Sequence, residues 1–271
     1  MCQVLGVPRS TFYKSLNHKP SKREVENAEL LHVIQIIHAE SEQRYGAPKV
    51  HKQLLKKTHI NVSLKRVQRL MRQHSLRSIV TKKFRPYSAK KVITQKPNLI
   101  KDLVINNRNQ VWVGDITYIY TKKHGWCYLA SVMDVYTKKI IGWCFSKRMT
   151  TECVVQALNN AILRQGVSEG LIFHSDMGSQ YTSHEFEQLL QSNEIKHSFS
   201  KKGYPYDNAA MESFHATLKK EEVYVKNYDT YEDARLALFK YIESWYNRNR
   251  IHGSINDMTP EEFDLSLQAA S

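Results

Sequence analysis

A chain of 271 residues with 41% hydrophobic and 24% charged side chains has the make-up of an ordinary globular protein, which excludes wholesale disorder and a membrane-embedded chain. The formal charge is +14, and no apolar run approaches the roughly 18 residues of a bilayer span. The start MCQVLGVPRS lacks the charged head and long apolar stretch of a signal peptide, and Cys2, Cys127, Cys144 and Cys153 form no CxxC pair, so a soluble cytoplasmic protein with reduced thiols is expected.

The charge is unevenly placed. Residues 1–110 carry 23 Lys+Arg against 6 Asp+Glu, whereas residues 111–271 carry 17 against 20. A basic half of this kind either binds a polyanion by releasing its counterions or is a solvated surface kept for solubility. Residues 1–20 read as a partial helix-turn-helix: Gly6 turns the chain, and Ser10 or Thr11 caps a second helix carrying Phe12 and Tyr13, although a plain helical hairpin fits equally. Residues 21–80 form a helical basic module. In it Leu30, Leu31, Ile34 and Ile37 recur at helical spacing, as do Leu64, Val67, Leu70 and Met71, with Lys65, Arg66, Arg69 and Arg72 on the other faces. Arg66 and Arg69 are candidate DNA contacts. Residues 81–108 are a basic linker without periodicity.

From residue 109 to 265 the texture changes. VWVGDITYIYT, WCYLASVMDVY and KIIGWCFS are β-branched and aromatic and are separated by turn-like segments, which predicts a three-stranded meander. TTECVVQALNNAILRQ predicts an amphipathic helix ending at Gly166; LIFHSD a short buried strand; SHEFEQLLQSN a helix capped by Ser183; IKHSFS a fifth strand; and NAAMESFHATLKKE a helix capped by Asn208. The order βββαβαβα implies an α/β fold, a mixed five-stranded sheet flanked by helices.

Three carboxylates occupy unusual places. Asp115 lies inside an apolar strand, Asp176 ends LIFHSD at a strand's carboxyl edge, and Glu212 opens a helix beside Ala209 and Ala210. Each has a bland explanation in a turn, a cap or a solvated face, and Asp134 and Asp207 compete with them as ligands. Together, carboxylates of this kind form a hard-oxygen set suited to Mg²⁺ or Mn²⁺. His174 and Ser175 could orient Asp176, Gln180 and Tyr181 could approach a DNA backbone, and Lys201 and Lys202 could lie on an active-site loop. In the run WYNRNRIH the basic residues could lie near phosphates, with core packing an equal explanation of its aromatics.

The motifs GDITYIY, YLASVMDVYTKKIIGW, FHSDMGSQYTS and SFSKKGYPYDNAAMESFHATLKKE resemble the catalytic core of DDE transposases of the retroviral-integrase superfamily, with 35 residues between Asp176 and Glu212 as that pattern requires. With RYGAPKVHKQL, VSLKRVQRLM and YIESWYNRNRIHGSI, the likeness narrows to the downstream-frame protein of bacterial insertion sequences of the IS-three type. The resemblance implies a ribonuclease-H-like fold and a metal-dependent DNA strand-cleavage and strand-transfer enzyme. Asp115, Asp176 and Glu212 would hold two Mg²⁺ or Mn²⁺ ions, and Lys219, seven residues after Glu212, would contact the DNA end. It also implies terminal repeats and target DNA as partners, a homo-oligomer on DNA, and an upstream-frame protein supplied separately or by fusion. Two other readings compete: a DNA-binding regulator with a vestigial core, and a nuclease of the same fold that cuts without joining.

Overall fold

The computed structural model describes residues 6, 8–16, 20–80, 97–200 and 208–269, and the chain divides into two units, Met1–Ile79 and Val80–Ser271. Among the described residues no helix is long and apolar enough to cross a membrane.

The first unit is helical: α1 (Arg9–Leu16), α2 (Lys22–Glu40), α3 (Ala47–Thr58) and α4 (Leu64–Gln73). Gly6 has φ +62°, the turn conformation expected of it, but α1 begins at Arg9, so Ser10 and Thr11 lie within its first turn rather than capping it. The helix expected before Gly6 lies outside the described residues. Ser21 and Glu24 form a reciprocal capping box at the start of α2, Pro48 opens α3, and Ser63 Oγ accepts the Arg66 amide at the start of α4. Leu30, Ile34 and Ile37 meet Val50, Leu54, Val67, Leu70 and Met71 in the core, as their spacing predicts. Arg66 turns back onto α2. Its Nε donates to Asn27 Oδ1 at 2.9 Å and its guanidinium pairs with Glu26 at 3.2 Å, so it ties two helices together where a DNA contact was expected. Arg69 stays half-exposed on the same helix.

The second unit is built on β1 (Val111–Thr121), β2 (Gly125–Asp134), β3 (Ile140–Ser146), β4 (Ile172–Ser175) and β5 (Lys196–Phe199) in the order β3-β2-β1-β4-β5. The meander β1-β2-β3 is antiparallel and β4 and β5 run parallel to β1, giving the expected mixed, ribonuclease-H-like sheet. Within the stretch expected as linker, Pro97–Leu99 runs beside β5: Phe199 N–H donates to the Pro97 carbonyl at 3.0 Å and Leu99 N–H to Ser198 Oγ at 2.9 Å.

Two helices, α5 (Thr151–Gln165) and α6 (His184–Ser192, capped by Ser183), share one core cluster with the sheet around Trp112, Ile141, Phe173 and Phe186. Gly142 lets α5 lie on β3, because a Cβ there would strike the Ala157 carbonyl and come within 2.7 Å of the Ala161 amide nitrogen. Beyond β5 come α7 (Ala209–Leu218), a π-helical turn over Lys219–Val223, α8 (Tyr231–Phe239), a second π turn over Lys240–Tyr246, and α9 (Pro260–Ala269). The first π turn buries Glu221, whose carboxylate accepts from Tyr241 Oη at 3.0 Å and Trp245 Nε1 at 3.1 Å and pairs with Arg250 at 3.0 Å. Arg250, expected near phosphates, is therefore a structural counter-charge, and Trp245 and Tyr246 are core residues.

Candidate active site

Backbone register sets up the site. Parallel pairing of β1 and β4 matches Val113 to His174, and that register continued by two residues sets Asp115, inside β1, level with Asp176, the first residue after β4. Neighbouring strands lie about 4.8 Å apart. Gly114 makes room beside them: a Cβ there would collide with the Phe173 ring and approach Tyr181 Cε1 to 3.3 Å. By the twofold alternation of a strand, Asp115 projects from the face opposite Trp112 and Ile116, which feed the core shared with α5 and α6.

That opposite face is met by α7. Glu212 sits in its first turn, where the helix dipole favours a carboxylate, and His215 follows one turn later on the same side. His215 Nδ1 lies 3.3 Å from Asp115 Oδ2, which fixes the helix against the strand and brings Glu212 to the site. Asp115 Oδ1 accepts its neighbour Ile116 N–H at 2.8 Å, and Asp176 Oδ1 accepts Gly178 N–H at 2.9 Å.

The electrostatics register the gathering of like charges. Removal from water raises the Asp176 carboxyl above its ordinary range; the Gly178 amide opposes this and the Asp115 charge adds to it. Partial shielding from water and Asp115 raise Glu212 in the same way, against His215. Lys219 Nζ lies 4.1 Å above the Tyr118 ring; burial lowers its pKa while Asp115 holds it up. Among the described residues no three His, Cys, Asp or Glu groups close on a single point. The donor set fits a hard divalent ion. Its charges repel one another, and the oxygens are held only by single amides and one imidazole.

Other expected residues take different places. Asp134, the competing ligand, is buried and spends its oxygens on Thr137 N–H, Thr137 Oγ1 and Asn109 N–H at 2.7–2.8 Å, so it shapes the β2–β3 turn. His174 and Ser175 are fully buried and bind toward β5, not the Asp176 carboxylate. His174 Nδ1 shares a hydrogen bond with Ser198 Oγ at 2.9 Å; Ser175 Oγ donates to the Asp176 backbone carbonyl and shares a bond with His197 Nε2 at 3.1 Å. Tyr181 is 3% exposed, its ring packed against Phe173 and Phe186, whereas its neighbour Gln180 is half-exposed. Asn208 precedes α7 but does not cap it with its side chain. Its φ of −122° and ψ of 21° depart from the extended backbone of a capping residue, and its buried Oδ1 has no partner among the described residues. Lys201, Lys202 and Asp207 lie outside the described residues. His215 and Tyr118 are not among the residues expected from the sequence, although the three-residue step from Glu212 to His215 places both on one helix face.

The chain is similar to known proteins along most of its length. Integrase core domain models match residues 106–205 and 193–260, and an HTH-like domain model matches residues 24–84, the stretch that holds α2–α4. The chain is 38% identical to the transposase for insertion sequence element IS904 of Lactococcus lactis over 92% of this chain and 98% of that protein. It is 37% identical to the uncharacterized 31 kDa protein of insertion element IS600 of Shigella sonnei over 97% of each. Against transposase InsF for insertion sequence IS3A of Escherichia coli the identity is 35%, over 97% of this chain and 92% of that one. Among solved structures, the HTLV-2 integrase catalytic core domain in complex with magnesium superposes with TM-score 0.44 at 20% identity, covering 57% of this chain and 95% of that one. The BIV integrase catalytic core gives 0.45 at 22%, covering 60% and 97%. With sequence identity of this level along nearly its full length and an integrase core of this topology, the chain belongs to the transposases of the IS3 family of insertion sequences.

Proposed function

We propose that the chain cuts DNA at the ends of an insertion sequence and joins those ends to a target by phosphoryl transfer that depends on two divalent ions, Mg²⁺ or Mn²⁺, with Asp115, Asp176 and Glu212 as their ligands. The observation that carries this reading is the parallel register that sets Asp115 of β1 level with Asp176 at the end of β4, with Asp115 acting electrostatically on both other carboxylates. Divalent ions in such a set polarise phosphate oxygens and make water or a 3′-hydroxyl a better nucleophile.

The protein's part is to place the reactants. Asp115 released from His215, and Asp176 released from the Gly178 amide, would have their oxygens free for the ions. Lys219 stands at the rim to take a phosphate of the DNA end, and Gln180, Lys201, Lys202 and Arg69 are further proposed contacts. His174 and Ser175 act at one remove, holding β4 against β5 so that Asp176 keeps its position. Water opens a phosphodiester first, leaving a 3′-hydroxyl and a 5′-phosphate, and that hydroxyl then attacks a second DNA phosphate and displaces the 3′-oxygen of the attacked strand, with no covalent protein intermediate. In this reading residues 21–80 grip DNA, residues 81–108 link them to a core spanning 109–265, and residues 1–20 complete a DNA-binding part together with an upstream-frame protein. The protein works as a homo-oligomer on DNA in the bacterial cytoplasm.

The test is incubation of the chain, alone and with its upstream-frame partner, with oligonucleotide duplexes bearing the element's terminal repeats. Nicked and joined products are expected in Mg²⁺, none in EDTA, and recovery on adding Mn²⁺. DNA that is bound but never cut with either ion and with the partner present would refute the reading.

A further inference from the structure

β1 outruns its neighbour. β4 pairs with it only through Val111–Val113, and the uncovered edge is met again only at its far end, where Lys122 N–H donates to the Tyr228 carbonyl at 3.0 Å and Lys123 N–H to that of Asp229 at 2.9 Å. Between these points the segment that follows α7 stands off the strand and leaves a cleft of about 380 Å³. Tyr118, Tyr120 and Trp126 form its sheet wall and Tyr224 stands across from them; each ring is between 52% and 55% exposed. Four large aromatic side chains half-open to water in one concavity are not explained by core packing.

Their arrangement is ordered. Trp126 packs edge-on against Tyr118 at 5.1 Å and against Tyr120 at 5.3 Å, so the rings are fixed before anything binds. Lys122, Lys219 and Lys226 are also in the lining. Lys122 pairs with Asp229 at 2.7 Å and Lys226 with Glu222 at 2.8 Å, so Lys219 supplies the positive charge at the catalytic end of the cleft. Lys219 joins this cleft to the catalytic end around the uncovered edge of β1: its ammonium lies over Tyr118 and within the field of Asp115, and Tyr118 is three residues, roughly 10 Å, along β1 from Asp115 and on the other face.

Flat faces beside fixed positive charge suit a ligand that carries rings and phosphates in alternation. In a duplex the base faces are already stacked on one another, and only an unpaired strand offers them to a protein. We propose that this cleft holds unpaired bases of the DNA strand whose phosphate lies at the three carboxylates, with Trp126 and Tyr224 as stacking surfaces and Lys219 on the backbone. The proposal rests on the catalytic reading above for its choice of DNA, and it adds a base-stacking site separate from the metal ligands.

The experiment titrates the full chain, in EDTA so that nothing is cut, against a fluorescent oligothymidylate of about a dozen nucleotides and against a blunt duplex of the same length, read by anisotropy. Trp126→Ala is expected to weaken oligothymidylate binding about tenfold and Tyr224→Ala at least about fivefold, with Trp126→Phe retaining most of the affinity and the duplex changed less than about twofold. The two alanine variants lie on opposite walls, so loss of folding in one, seen by circular dichroism, leaves the other to decide. Wild-type affinity in the folded variants, or an equal loss for duplex and single strand, overturns the proposal. Failure of the wild type to cut DNA in Mg²⁺ would strike the catalytic reading, whereas failure of Trp126→Ala to lose single-strand affinity strikes only the stacking site.

Discussion

Asp115→Asn, Asp176→Asn and Glu212→Gln are each expected to lower strand cleavage by at least about 10³-fold, some 4 kcal/mol of barrier, while DNA affinity stays within about threefold of wild type. The substitutions keep size and remove charge. An amide oxygen at position 176 would still accept the Gly178 N–H, and one at position 115 would still accept the Ile116 N–H, so the local fold survives in each case. What disappears is a charged oxygen ligand from a set of three, for which an amide oxygen is a poor replacement toward a hard divalent ion. Affinity for DNA is spared because it comes from basic surface elsewhere. Nicking rates on a terminal-repeat duplex, measured beside anisotropy on the same DNA, separate the two effects. An Asp176→Asn protein that cuts at more than about a tenth of the wild-type rate would remove Asp176 from the catalytic set.

The second large effect concerns stability. Glu221→Ala is expected to cost about 4 kcal/mol, because it leaves the Arg250 guanidinium, Tyr241 Oη and Trp245 Nε1 facing a buried hole. Burial works against the charge on Arg250, and the Glu221 carboxylate more than compensates, holding its pKa above the ordinary value. For a unit of this size the loss corresponds to a fall in Tm of roughly 10 °C, read from a thermal melt. A melt within about a degree of wild type would show that the buried pair contributes little. The site is exposed to this change because the π turn carrying Glu221 continues directly from α7, the helix that carries Glu212 and His215.

The sequence patterns that proved readable were those set by local chemistry. The β-branched and aromatic make-up of VWVGDITYIYT and WCYLASVMD, the Ser183 cap, the glycine at 166 and the helical spacing of Val67, Leu70 and Met71 all correspond to the elements that form. What was hidden depended on partners distant in sequence. That Asp115 stands beside Asp176 follows from the register Val113 to His174, which no local pattern encodes. Arg66 and Arg250 read as basic surface because an arginine announces its charge but not its counter-ion; Asn27, Glu26 and Glu221 lie about 30 to 40 residues away. Glu221 itself looks like a solvated residue in KKEE until the helix widens into a π turn and directs it inward. Asn208 has the residue type of a cap, but its backbone lacks the conformation that makes one. Tyr118, Tyr120 and Trp126 read as ordinary strand aromatics, since nothing in the strand reveals that β4 stops at residue 175 and leaves them uncovered.

The most direct measurement is anomalous scattering from crystals of the protein soaked in Mn²⁺. Peaks are expected between the carboxylates of Asp115 and Asp176 and within reach of Glu212, two of them about 3.5 to 4 Å apart when DNA is bound, with Asp115 rotated off His215. Manganese bound elsewhere, or Asp115 and Asp176 still turned to His215 and the Gly178 amide at saturating metal, would contradict the assignment of these three side chains as the catalytic centre.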